Sequence, residues 1–238
     1  MLRKLLFTLF VFTFVATTSF AISLPALQQV FDDITVGGVS HVNATTDMVS
    51  DSNDSFWSID AGSSSVSTMI IELADFASHN KFGIYGGGKF VELFDGDATS
   101  GNQVGLSIDV LGNVYVNFAS SPVANIGSTS FGYYLDSSYY DNGGFFYSDT
   151  SLNDDESDHM FAYQGVGDDL SIANWSGGSW ASNEYILAFE DLTAAHSDWD
   201  YTDMVVMVTN VAPVPEPATL LLLGSGLVGL AFLKRRKS

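Results

Sequence analysis

Cysteine is absent from this chain of 238 residues. No disulfide can form and no thiol nucleophile is available. Outside the cell, such a chain has to be held by packing or by bound ions. Basic residues are nearly as scarce, with eight Lys and Arg against 28 Asp and Glu. Six of the eight sit at the ends, as Arg3, Lys4 and the run Lys234, Arg235, Arg236 and Lys237, so Lys81 and Lys89 alone serve the body. All the acidic residues except Glu216 lie in the body. Such a surface repels nucleic acid and anionic headgroups, which excludes a nucleic-acid partner, and it attracts divalent cations. The same charge also serves plain solubility.

Familiar catalytic signatures are missing too. His41, His79, His159 and His196 show no zinc spacing. His159 and His196 stand beside acidic residues and read as surface groups. There is no Gly-x-Ser-x-Gly elbow. Gly86-Gly87-Gly88-Lys89 is followed by Phe90 and has no upstream glycine of a phosphate loop, so it reads as a turn. Pairs of carboxylates could hydrolyse a glycosidic bond, but in so acidic a chain they arise by chance.

Both ends are apolar. Arg3-Lys4 precedes an apolar run from Leu5 to Val15, and Ser19-Phe20-Ala21 offers small residues at a cleavage site. Residues 1–21 therefore read as a secretory signal peptide. At the other end come Pro215-Glu216-Pro217, an uncharged stretch over 218–233, and the basic cluster Lys234, Arg235, Arg236, Lys237. A helix over 218–233 would be roughly 24 Å long against a ~30 Å hydrocarbon core, a gap that snorkelling side chains can close. The prolines stop it from extending backward, and the basic end favours the cytoplasm. Ser225 and Gly229 add a small-xxx-small pair of the kind common in membrane spans.

The order Pro-Glu-Pro, apolar helix, basic end resembles the PEP-CTERM sorting signal of Gram-negative surface proteins. The resemblance implies recognition by a membrane-embedded exosortase, removal of the tail near Pro215-Glu216-Pro217, and delivery to the envelope or extracellular matrix.

Between the ends, short stretches rich in β-branched and aromatic residues alternate with turn residues. Strands are expected at Val66–Leu73, Lys89–Phe94, Gln103–Val110, Asn113–Phe118, Ser130–Leu135, Gly144–Ser148, His159–Tyr163, Tyr185–Glu190 and Asp203–Thr209. In Lys89–Phe94, alternation puts Phe90 and Phe94 on one face and Val91 and Leu93 on the other. One short helix fits Leu24–Phe31, after Pro25. The expected fold is an all-β, antiparallel β-sandwich over 22–211, with 212–217 as an extended linker. Trp175 and Trp180 flank Gly177-Gly178, which predicts an exposed tip; these residues, Trp57, Trp199 and the Tyr139-Tyr140 pair are candidates for stacking on sugars.

The most chemical stretch is Glu190 to Asp203, with five carboxylates: Glu190, Asp191, Asp198, Asp200 and Asp203. Hard cations take oxygen ligands from flexible loops, and calcium takes six to eight of them. The loop is no EF-hand, since Asp203 occupies the glycine position and Thr209 that of the closing glutamate. Calcium is the one candidate cofactor; a solvated acidic loop would look the same. Two further clusters, Asp47 to Asp54 and Asp149 to Asp158, leave the same choice open.

Ile186 to Val206 resembles the end of an uncharacterised bacterial extracellular domain that often precedes PEP-CTERM tails, with a Phe-Glu-Asp segment followed by Asp-x-Asp. Phe131 to Asp136 and Phe146 to Tyr163 resemble its earlier parts. The resemblance brings no known reaction. The expectation is a non-enzymatic, exported surface or matrix protein, with calcium as a candidate ligand of its acidic loops. Its partners would be exosortase, the membrane and extracellular polysaccharide. The alternative is a secreted carbohydrate-binding module or carbohydrate-active hydrolase.

Overall fold

The computed structural model describes residues 24–60, 64–71, 77–175 and 177–215. The expected signal peptide at 1–21, Glu216, Pro217, the expected membrane helix over 218–233 and the basic residues Lys234, Arg235, Arg236 and Lys237 lie outside them. Among the described residues no helix is long and apolar enough to cross a membrane.

A helix, α1 (Pro25–Ile34), comes first, and a single turn, α2 (Asp51–Asp54), follows. The strands are β1 (Trp57–Ile59), β2 (Ser65–Ile71), β3 (Lys81–Gly86), β4 (Lys89–Phe94), β5 (Gln103–Ile108), β6 (Asn113–Val116), β7 (Ala124–Asn125) and β8 (Ser130–Asp136). After them come β9 (Phe145–Tyr147), β10 (Met160–Gln164), β11 (Asp169–Leu170), β12 (Gly178–Ser179), β13 (Glu184–Phe189), β14 (Met204–Thr209) and β15 (Val211–Pro213).

Two antiparallel sheets form the expected sandwich. One runs β10-β13-β14-β2-β5-β6-β7; the other runs β15-β1-β8-β3-β4, with β9 also paired to β8. The core between them joins Trp57, Phe82, Phe131, Tyr133 and Leu135 of the second sheet to Met69, Leu106, Leu187, Phe189 and Val206 of the first.

A second core lies on the far side of the first sheet. Ile70, Phe161, Ile186, Ala188, Val205 and Met207 face it, and α1 covers them. The helix presents Leu27, Val30, Phe31 and Ile34, which recur at helical spacing on one side. Pro25 starts it where a missing amide costs nothing. Burial on both faces explains why β13 and β14 read as almost unbroken apolar runs.

Three local expectations change. Phe94 does not share a face with Phe90: a register shift between Phe82 and Gly83 in the β3–β4 pair brings Phe94 into the core with Val91 and Leu93, while Phe90 stays outside. Trp180 is fully buried, its ring against Phe31 and its indole N–H donating to the Glu184 carbonyl (3.2 Å), so the Gly177-Gly178 turn exposes no tryptophan pair. The chain over Val211–Pro213 is a strand, not linker. It pairs with β1, and Val211 enters the core. An edge strand tolerates Pro213. Pro215, exposed, lies two residues beyond β15.

Candidate metal centre

The Glu190–Asp203 segment joins two strands that pair with each other. The register sets Phe189 opposite Met204, so the residues one step further out, Glu190 and Asp203, face across the mouth of the connection. Asp191 donates its backbone N–H to Asp203 Oδ2 (3.0 Å) and closes the neck.

Beyond the neck the backbone makes two unusual turns. Trp199 and Tyr201 both adopt left-handed φ angles, 59° and 56°, which large side chains rarely do. Their packing holds the shape. Tyr201 is buried, stacks on Phe161 with ring centroids 4.0 Å apart, and donates its hydroxyl to the Asp158 carbonyl (2.7 Å). Trp199 packs partly buried beside His159. Asp200 Oδ1 in turn accepts from the Thr202 amide (2.9 Å) and hydroxyl (2.7 Å).

The result brings all five expected carboxylates together. Glu190, Asp198 and Asp200 each offer an oxygen within 4.8 Å of the others, and so do Glu190, Asp191 and Asp203. Glu190 belongs to both triads. That spacing is about twice a calcium–oxygen bond, so one ion can touch three of them.

The electrostatics press the same way. Glu190 is buried, and its Oε2 has no hydrogen-bond partner. Burial, followed by the charges of Asp198 and Asp200, raises its pKa. Burial, followed by Asp191 and Glu190, raises that of Asp203. The body's two lysines do not serve as counter-ions here, since Lys81 pairs with Glu92 (3.4 Å) and Lys89 lies exposed on β4. Hydrogen bonds from Ser197 and Asp203 hold Glu190 down in part, and a divalent ion would relieve the remaining repulsion among these carboxylates.

Several supports carried no sequence signal. Asn80, fully buried, donates from Nδ2 to Asp191 Oδ2 (2.9 Å). Ser137 Oγ donates to the Asp191 carbonyl (2.5 Å). Asp155 Oδ2 accepts from the Ala194 amide (2.8 Å) and pins the middle of the loop. His159 corrects an expectation. It is wholly buried, stacked on Phe146 at 3.9 Å, with Nε2 against Asp155. Burial lowers its pKa against the opposing pull of Asp155, and the ring packs in the interior and aims that carboxylate. His196 is exposed, as expected.

Comparison with known families covers two stretches. Residues 213–237 match the PEP-CTERM protein-sorting motif. Residues 126–210 match a domain of unknown function, DUF4114. The second match contains the whole acidic loop. No curated protein and no solved structure matches the chain. This is therefore an exported protein of the Gram-negative type with a PEP-CTERM tail, held in the membrane until an exosortase processes it, and its mostly β body contains a DUF4114 domain.

Proposed function

We propose that the body is a non-enzymatic surface module that uses calcium to lock the Glu190–Asp203 loop, and that sorting places it in the envelope or its polysaccharide matrix. The observation that carries this reading is the pair of carboxylate triads sharing Glu190. Glu190 and Asp191 are buried, whereas Asp198 is exposed, so the ion would bridge the end of the sandwich to the tip of its loop. Calcium suits a site of many carboxylates on an irregular backbone better than magnesium, which demands near-octahedral geometry. The test is a thermal melt of the full chain in detergent with calcium, magnesium or chelator at matched ionic strength. A saturable rise specific to calcium is expected, because an ion that binds only the folded state stabilises it. Identical melts in all three would reject the reading.

A second reading rests on one cavity. Met48, Ser157, Asp158, Phe161, Asp198, Trp199 and Tyr201 line a hollow of about 680 Å³. Its mixture of aromatic rings and carboxylates has the chemistry of a glycan site. Binding of matrix polysaccharide, quenched by Trp199→Ala, would support a carbohydrate-binding module. Release of reducing sugar that Asp158→Asn abolishes would make the protein a hydrolase.

A further inference from the structure

Four successive residues of the acidic loop, Asp198 to Tyr201, serve two places. Asp198 and Asp200 share a triad with Glu190, their oxygens within 4.8 Å of one another. Trp199 and Tyr201, which alternate with them, line the hollow of about 680 Å³ instead. Asp198 is common to both, since it lines the hollow as well. The left-handed φ angles of Trp199 and Tyr201, 59° and 56°, accompany this alternation. Large residues held in that region cluster at ligand clamps.

The two rings are held differently. Tyr201 is buried, stacked on Phe161 and bonded to the Asp158 carbonyl (2.7 Å), so it is a fixed floor. Trp199 is only partly buried, tilted beside His159 with ring centroids 5.5 Å apart, and its amide donates to Ser197 Oγ (2.9 Å) within the same loop. Its place in the wall depends on the two carboxylates that flank it in sequence. Without an ion, Asp198 and Asp200 press their charge on buried Glu190. An ion between the three would fix the chain on both sides of Trp199.

The lining indicates the ligand class. Phe161, Trp199 and Tyr201 offer apolar ring faces, and Asp158 and Asp198 offer acceptors for hydroxyl groups. No basic side chain is among the described residues of the lining, so an anionic ligand finds no counter-ion there. A neutral glycan matches both features.

We propose that the hollow is a calcium-gated site for a neutral glycan, in which an ion held by Glu190, Asp198 and Asp200 sets the Trp199 wall against which the sugar binds. This inference rests on the calcium reading of the loop and on the glycan reading of the hollow, and it makes them one device. The coupling is reciprocal: the factor by which calcium tightens the sugar is the factor by which the sugar tightens calcium.

Titration calorimetry on the full chain in detergent tests it. The probes are cellotetraose, maltotetraose and mannotetraose, each in saturating calcium and in magnesium with a calcium chelator, at matched ionic strength. Calcium is titrated separately, with and without the sugar that binds. Wild type is compared with Asp200→Asn, which alters the triad, leaves the hollow's lining intact and keeps an oxygen for Thr202. Wild type should bind a sugar about tenfold more tightly in calcium, a usual size for coupled sites. Asp200→Asn should bind it in both buffers as wild type does in chelator. Equal sugar affinity in both buffers, with calcium bound, overturns the gate and leaves the calcium reading standing. Calcium binding without binding of any probe does the same. A wild type that binds no calcium rejects the calcium reading, and the gate with it. A calcium effect on the sugar undiminished in Asp200→Asn also overturns the gate. Should the variant not fold, the wild-type titrations decide alone.

Discussion

Glu190 and Asp203 face each other one step beyond the last pair of β13 and β14, each raised in pKa by burial and by the other carboxylates of the loop. Two such groups cannot both ionise cheaply without a cation. A retained proton relieves the pair in the absence of metal, and the proposed calcium ion would take that proton's place.

The first consequence is an inversion of sign for Asp203→Asn. In chelator at pH 8 burial keeps Asp203 protonated while the unfolded chain ionises it, a folding cost that asparagine does not carry, so the variant should melt higher than wild type, by ~2–4 °C for each kcal/mol gained. In saturating calcium it loses a ligand and should melt lower. Calorimetry in both buffers checks this, and a variant that lies on the same side of wild type in both would contradict it.

Stability without metal should fall as pH rises. Burial, with the charges of Asp158 and Asp51, pushes Asp54 up to about 9. Burial likewise pushes Asp158 up to about 7. Glu190 and Asp203 move in the same direction. In an unfolded chain these groups titrate near pH 4. Between that value and the folded ones the native state binds more protons, so stability declines with rising pH. Their contribution is complete below about pH 4 and lost through about pH 7 to 9. Asp155 works the other way. Burial would raise it, but bonds from the Ala194 amide and His159 hold it low, so its contribution is lost in acid. Urea unfolding at pH 5, 7 and 9 in chelator should show a steady decline, and calcium should flatten it.

Tyr201 should matter more than an ordinary loop residue. Its ring on Phe161 and its bond to Asp158 hold a left-handed backbone in place. Tyr201→Ala should cost ~3–5 kcal/mol, as for other large buried aromatics. It should also weaken calcium binding, because the loop that presents Asp198 and Asp200 loses its anchor. Tyr201→Phe, which loses only the hydroxyl bond, should cost ~1 kcal/mol. Denaturant unfolding and calcium titration of the two variants measure both effects.

The end of the folded body can be located by truncation. A chain stopped after Asn210 loses Val211, which is 1 % exposed, and the pairing of β15 with β1. It also loses the Val214 amide bond to the Phe56 carbonyl (2.7 Å). A chain stopped after Pro215 keeps all three. The shorter form should unfold at lower denaturant, and the longer should match the full chain. Processing at the Pro-Glu-Pro motif then leaves the fold intact.

Much of this protein is local and was readable from residue order. Alternation and turn residues mark most strands, because a strand's two faces are written at a period of two. Pro25 and the spacing of Leu27, Phe31 and Ile34 mark α1 in the same way. The tail carries its address in the order of three short segments. The five carboxylates were legible because they lie on one connection. The rest depended on which distant segments meet. His159 beside Asp155 looks like a solvated pair until Phe146 and Trp199 close over it. Phe94 changes face because its partner strand shifts register. Asp54 and Asp158 look like two separate acidic loops. Only the packing of α2 on β10 brings their segments together, and only the fold shows that Asp54 is buried, where burial favours its neutral form.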